Sequence, residues 1–256
     1  MTDGSTLHPI DPEILRRYVL ALRGEEPPAA VAPRDPAWAE RVLTRARAGH
    51  EKARRGDEAG ANAISLGFAQ VLATAQPTFY LPGASLTALE ARIERGVGML
   101  MRPPSRLFGE AGLDVPSARA MPIRLDLGSG SMGGAFVPAR LVPQFAALLR
   151  ERETRLVRRM VEAEMDAVAV YGLLLQTAEW AEARGLGLFE ALDAIVPEVP
   201  EADPPGAAIA APNRKALDPA VRRRLEEAAK PPKKPGLLSR LFGQGRREPD
   251  TEPPVP

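Results

Sequence analysis

Apolar residues recur every three to four positions over most of the chain between Pro12 and Val196, and this rhythm predicts helices. Asp11-Pro12-Glu13 is a helix start, with a capping acid and proline at the first helical position. Ile14, Tyr18 and Leu22 follow at a spacing of four, and Gly24 stops the run. Asp35-Pro36 repeats the signal and opens a helix carrying Trp38, Val42 and Leu43, closed at Gly56-Asp57. A more apolar helix is expected over Asn62–Ala75 on Ile64, Phe68, Val71 and Leu72, so that the two form a helical hairpin. Ser85 caps a predicted helix to about Met101. From Pro143 to Arg184 the pattern is helical again, with Asp166 as a second cap and Gly185 as a C-cap. Gly187–Val196 reads as one more short helix.

Strand patterns are few. Thr78–Leu81 fits a short strand, and Pro122–Leu127 alternates Ile123, Leu125 and Leu127 against Arg124 and Asp126. Residues 105–121 read as irregular. Downstream of Gly134 no strand pattern is found. The fold class expected is therefore mainly α: a helical domain with a small embedded β element of one or two short strands, and disordered termini. The boundaries drawn are an N-terminal segment with one amphipathic helix and a proline-rich linker (1–34), a mainly helical domain (35–198), and a disordered, proline-rich basic tail (199–256) holding a short amphipathic helix at 236–243.

Composition narrows the chemistry. Apolar residues make up 45% of the 256 positions and aromatic ones only 5%, which suits helix packing more than a sandwich. The absence of Cys excludes disulfides, thiolate metal sites and Cys nucleophiles. Of the two histidines, His8 lies in a polar N-terminal stretch and His50 on an arginine-rich helix face where it is expected to be solvated; neither is expected to serve a metal site or a catalytic triad. Acids such as Glu162, Glu164, Asp166, Glu179 and Glu182 read as ordinary helix-surface residues. No signal-peptide pattern opens the sequence, and the longest apolar run, Ala167–Leu175, is far short of the roughly 20 residues a membrane span needs. A cytoplasmic bacterial protein is expected, with no catalytic residues, no metal and no cofactor assigned.

Two segments carry candidate chemistry. The first is Arg124-Leu-Asp-Leu-Gly-Ser-Gly-Ser-Met-Gly-Gly134, a strand running into a glycine-rich loop. Asp126, Gly128 and Gly130 resemble the first motif of class I S-adenosylmethionine-dependent methyltransferases, with Met132 standing where that family has a third glycine. Gly128, Gly130 and Gly133 also fit the Gly-x-Gly-x-x-Gly dinucleotide pattern. The resemblance implies ligand binding by Asp126, Gly128, Gly130 and Gly133 on a mostly parallel sheet. The helical pattern beyond Gly134 leaves that sheet without its later strands.

The second is the C-terminal region. Between Arg214 and Arg247 eleven basic residues face three acidic ones, a local +8 in a chain whose total is +1. Leu237, Leu238, Leu241 and Phe242 fall on one helical face beside Arg240, and such a face suits a protein groove or an anionic membrane surface. The string Ser105-Arg-Leu-Phe-Gly109 recurs letter for letter as Ser239-Arg-Leu-Phe-Gly243, which suggests self-association. The basic cluster Arg41–Arg55 is interleaved with acids and lacks aromatics, so nucleic acid is not an expected partner. The function expected is a non-catalytic adaptor, scaffold or regulatory protein. The alternatives are a methyltransferase-like ligand-binding protein and a peripheral membrane protein.

Overall fold

A computed structural model describes residues 4–121, 134–192, 194 and 206–231. The helical character is as expected, but the helices are organised around a five-stranded sheet of order β3-β4-β1-β2-β5. The strands are β1 (Gly4–Ile10), β2 (Thr78–Pro82), β3 (Phe136–Val137), β4 (Gly187–Leu192) and β5 (Ile209–Ala210). All neighbouring pairs are antiparallel except β2 with β5. The expected one or two strands become five because long-range pairing, rather than local alternation, makes most of them.

The N-terminal residues are the clearest departure. Gly4–Ile10 is not a loose terminus but the central strand, with Leu7 opposite Phe79 of β2 and Glu190 of β4. Pro9 is tolerated there because the β1–β2 register runs only from Gly4 to Leu7, so its missing N–H falls beyond that ladder. Gly187–Leu192, expected as a helix, is β4, held between β3 and β1 with both faces covered. A short apolar run buried on two sides does not alternate, so periodicity alone reads it either way.

The sheet separates two cores. One face presents Ile10, Phe136, Phe189 and Ala191 to α1 (Pro12–Leu22), the short α2 (Pro28–Val31), α3 (Pro36–Ala53), α4 (Glu58–Ala75), and two helices in the stretch expected to be irregular. Following the short α5 (Leu86–Ala88), these are α6 (Pro104–Glu110) and α7 (Val115–Arg119). Four rings meet on this face, with Phe68 5.4 Å from Phe108, 5.5 Å from Phe189 and 5.5 Å from Tyr18. The other face presents Leu7, Phe79, Leu81, Val137 and Leu188 to α8 (Val142–Glu151), α9 (Glu153–Glu162) and α10 (Ala167–Glu182).

The helix signals read from sequence hold where they are local. Asp11, Asp35 and Asp166 cap α1, α3 and α10 through their side chains, while Asp57, read as the close of the preceding helix, caps α4, which starts at Glu58 and not at Asn62. The α3–α4 hairpin is present. Ser85 caps as expected, yet the chain does not run on as one helix: α5 passes into a π turn over Leu89–Ile93, and Glu94 is extended. Part of the expected disordered tail is also folded. Asp218 caps α11 (Pro219–Ala229), which buries Leu225 and Ala228 in the second core. Arg224 grips Glu153 of α9 with two bonds of 2.7 and 2.8 Å, and Arg214 reaches Asp166 at 2.8 Å. Much of the basic charge counted between Arg214 and Lys230 therefore lies within the fold. The remainder of that charge, and the expected helix at 236–243, lie outside the described residues.

Helices α3 and α4 cross closely enough to need glycine. A Cβ on Gly60 would stand 2.4 Å from the Gly49 carbonyl oxygen and 2.8 Å from the Ala53 nitrogen, both backbone atoms that cannot yield cheaply. Gly60→Ala is therefore expected to destabilise by about 1–3 kcal/mol despite alanine's better helix propensity. A lowered urea midpoint at unchanged m-value checks this; an unchanged or raised midpoint contradicts the close crossing.

Candidate functional site

The sheet centre holds two buried polar sites on opposite faces. On the α4 side His8 is fully buried. Its Nε2 lies 2.7 Å from Thr6 Oγ1 and its Nδ1 3.3 Å from Thr78 Oγ1. Thr6 spends its hydroxyl proton on the Ala191 carbonyl at 3.1 Å, which assigns Nε2–H as the donor to Thr6 and leaves Nδ1 to accept from Thr78. Burial pushes the His8 pKa from 6.5 down to about 3, so the ring is neutral. His8, read from sequence only as part of a polar N-terminal stretch, thus lies buried in the sheet. The residue is polar in sequence but fully bonded inside the sheet. His50 is likewise no free surface group: it bonds Asp114 at 2.5 Å and ties α3 to the start of α7.

On the α10 side Glu190 is buried, opposite Leu7 of β1. Oε1 accepts from the Leu86 N–H and Oε2 from Thr87 Oγ1 at 3.4 Å. Burial raises its pKa from 4.5 to about 7, and the N–H groups of Leu86, Thr87 and Ala135 pull against that rise. Ala135 follows the glycine-rich segment, and Gly134 (φ +37°) packs so tightly that a Cβ there would meet the Glu190 carbonyl oxygen at 2.0 Å. Glu190 therefore fastens the C-terminal root of that segment to α5.

A second cluster lines a cleft of about 610 Å³ between the π turn and α9. Glu94, 3% exposed, accepts from Gly96 N at 3.1 Å and Arg152 Nη1 at 2.5 Å, and Arg155 Nε lies 3.5 Å from its other oxygen. Burial acts to raise its pKa, but Gly96 and the two arginines outweigh it and hold the carboxyl below its ordinary value. The arrangement fixes a charge at the point where the helix breaks.

The third feature is an apolar groove of about 540 Å³ at the end of the sheet where β1 stops and β4 begins. Its walls are Ile10, Leu15, Leu107, Phe136, Pro138 and Ala139, and its rim carries Arg16 and Glu110. Leu107 belongs to α6, the internal copy of the repeated pentapeptide, whose Phe108 is buried among Phe68 and Phe189. Sequence reading missed this groove, since its lining comes from four separate stretches of the chain. Among the described residues no group of three His, Cys, Asp or Glu could hold a metal, and no helix is long and apolar enough to cross a membrane.

Asp126, Gly128, Gly130 and Gly133, and likewise Leu237, Leu238, Arg240, Leu241 and Phe242, are outside the described residues. The sheet beside the glycine-rich segment is antiparallel at its centre, unlike the parallel sheet that the methyltransferase and dinucleotide resemblances imply.

Stability should register the Glu190 proton. A carboxyl whose pKa is raised in the fold lends stability below the unfolded value of 4.5, and that contribution is lost as pH rises through about 7; it amounts to about 3 kcal/mol. His8 slopes the other way, since stability falls as pH drops from 6.5 toward 3, so the parent curve alone masks the effect. The difference in unfolding free energy between the parent and Glu190→Gln is therefore expected to grow in the parent's favour by about 3 kcal/mol from pH 7 to pH 4.5. A pH-independent difference contradicts the assignment. The chain matches no known family model, no curated protein and no solved structure.

Proposed function

We propose that the protein is a non-catalytic adaptor or regulatory protein that binds an apolar helical segment of a protein partner in the groove at the β3 end of the sheet. The observation that carries this reading is the groove itself. It joins aliphatic and aromatic walls from β1, α1, α6 and β3, with one cation and one anion at the rim to orient a peptide. The buried ionisable groups support the same reading. His8, Glu190 and Glu94 are each engaged by hydroxyls, backbone N–H groups or arginines of the fold, which spends them on holding strands and turns in place.

Ala139 is exposed on the groove wall, so arginine there fills the groove without entering the core. A photo-crosslinker at position 139 is expected to capture a protein that, once identified and purified, binds the full chain directly. Ala139→Arg should weaken that binding about tenfold or more with an unchanged melting temperature. Undiminished binding by the variant overturns the reading.

A further inference from the structure

Accepting the groove as a protein-docking surface, we infer that its occupant is the segment Gly236–Gly243 of a second copy of this chain. Three observations carry this.

The first is the repeated string. In α6 the letters Ser105-Arg-Leu-Phe-Gly109 place Leu107 on the groove wall and Phe108 in the core beneath it, so this pentapeptide as a helix directs Leu and Phe to the same side. Ser239–Gly243 carries the same letters, and Leu237 and Leu238 extend its apolar face by one turn. That face matches the apolar groove in character and has the helix-in-groove anchor spacing.

The second is charge. In α6, Arg106 bonds Glu110 four residues on, at 2.8 Å. The tail copy has Gln244 at the corresponding place, so Arg240 has no acid at that spacing. Glu110 stands exposed on the groove rim, where its carboxylate is complementary in charge to Arg240 of the tail copy.

The third is reach. The last described residue, Pro231, follows α11, which packs in the core on the far side of the sheet from the groove. Six residues to Leu237 span at most about 20 Å. The route from α11 past α9 and the sheet to α1 and α6 crosses layers about 10 Å apart and has to go around the sheet, not through it. A tether this short, with the sheet to be rounded, favours a neighbour's groove over the chain's own. Reciprocal exchange of tails closes a two-fold dimer.

The test uses the full chain and two full-length variants, Leu241→Asp/Phe242→Asp in the tail and Ala139→Arg in the groove, followed by light scattering behind gel filtration. The expected result is a dimer for the parent and a monomer for each variant, with mixing of the two variants restoring dimers, since one supplies an intact groove and the other an intact tail. A labelled peptide of residues 235–244 should bind the tail variant and bind Ala139→Arg about tenfold more weakly or worse. A monomeric parent overturns the inference. So does a monomer whose groove takes the peptide only when the tail is mutated, which would mean that each chain fills its own groove. Co-sedimentation of the parent with phosphatidylserine-containing vesicles, lost in the tail variant, without peptide binding to the body, also overturns it and assigns the tail to a lipid surface. Failure here is distinguishable from failure of the adaptor reading, which is judged by the crosslinked partner's affinity for Ala139→Arg.

Discussion

Everything in this fold depends on placing a polar strand in the middle of a sheet. Gly4–Ile10 carries Ser5, Thr6 and His8, and all three are fully buried. An unbonded polar group in that position costs about 1–3 kcal/mol, so the strand is tolerable only because each group finds a partner. Ser5 donates to the Ala84 carbonyl at 2.8 Å, Thr6 to Ala191, and His8 is held between two threonines. With β1 in place, β2 and β4 have a common neighbour and the two helical layers acquire a shared floor. Ile10, the last residue of that strand, then becomes part of the groove wall.

The local features of this architecture were readable in advance, and the long-range ones were not. Caps are short-range chemistry, so Asp11, Asp35, Ser85 and Asp166 could be recognised beside the helices they start. Thr78–Pro82 was legible because it is bounded by Pro77 and Gly83 and rich in β-formers. β1 was hidden because its buried face contains hydroxyls and an imidazole in place of aliphatics. β4 was hidden because Glu190 interrupts an apolar run that is covered on both faces. Neither partner of Glu190, the start of α5 or Ala135, is near it in sequence, and nothing short of the assembled sheet brings them together.

The same logic governs the site. The motifs that stood out, a glycine-rich loop and a basic amphipathic tail, are conspicuous because their signals are contiguous. The groove is composite: Leu15 and Leu107 look like ordinary core positions, and Phe136 sits in a strand only two residues long. The internal copy of the repeated pentapeptide contributes Leu107 to the groove wall, a placement its letters alone do not give. Buried charges tell a related story: Glu94 looks like one of many helix acids, yet its burial beside Arg152 and Arg155 ends a helix that propensity alone would continue.

Backbone hydrogen exchange of the full chain tests the central place of β1 most directly. Strands paired on both sides open only with the global unfolding of the molecule, whereas loose termini exchange almost at once. The amides of Thr6 and Leu7 should therefore be among the slowest in the protein, matched by those of β4. Exchange of residues 4–10 as fast as a free terminus would contradict the account, because a sheet without its middle strand can hold neither the two cores nor the groove at its end.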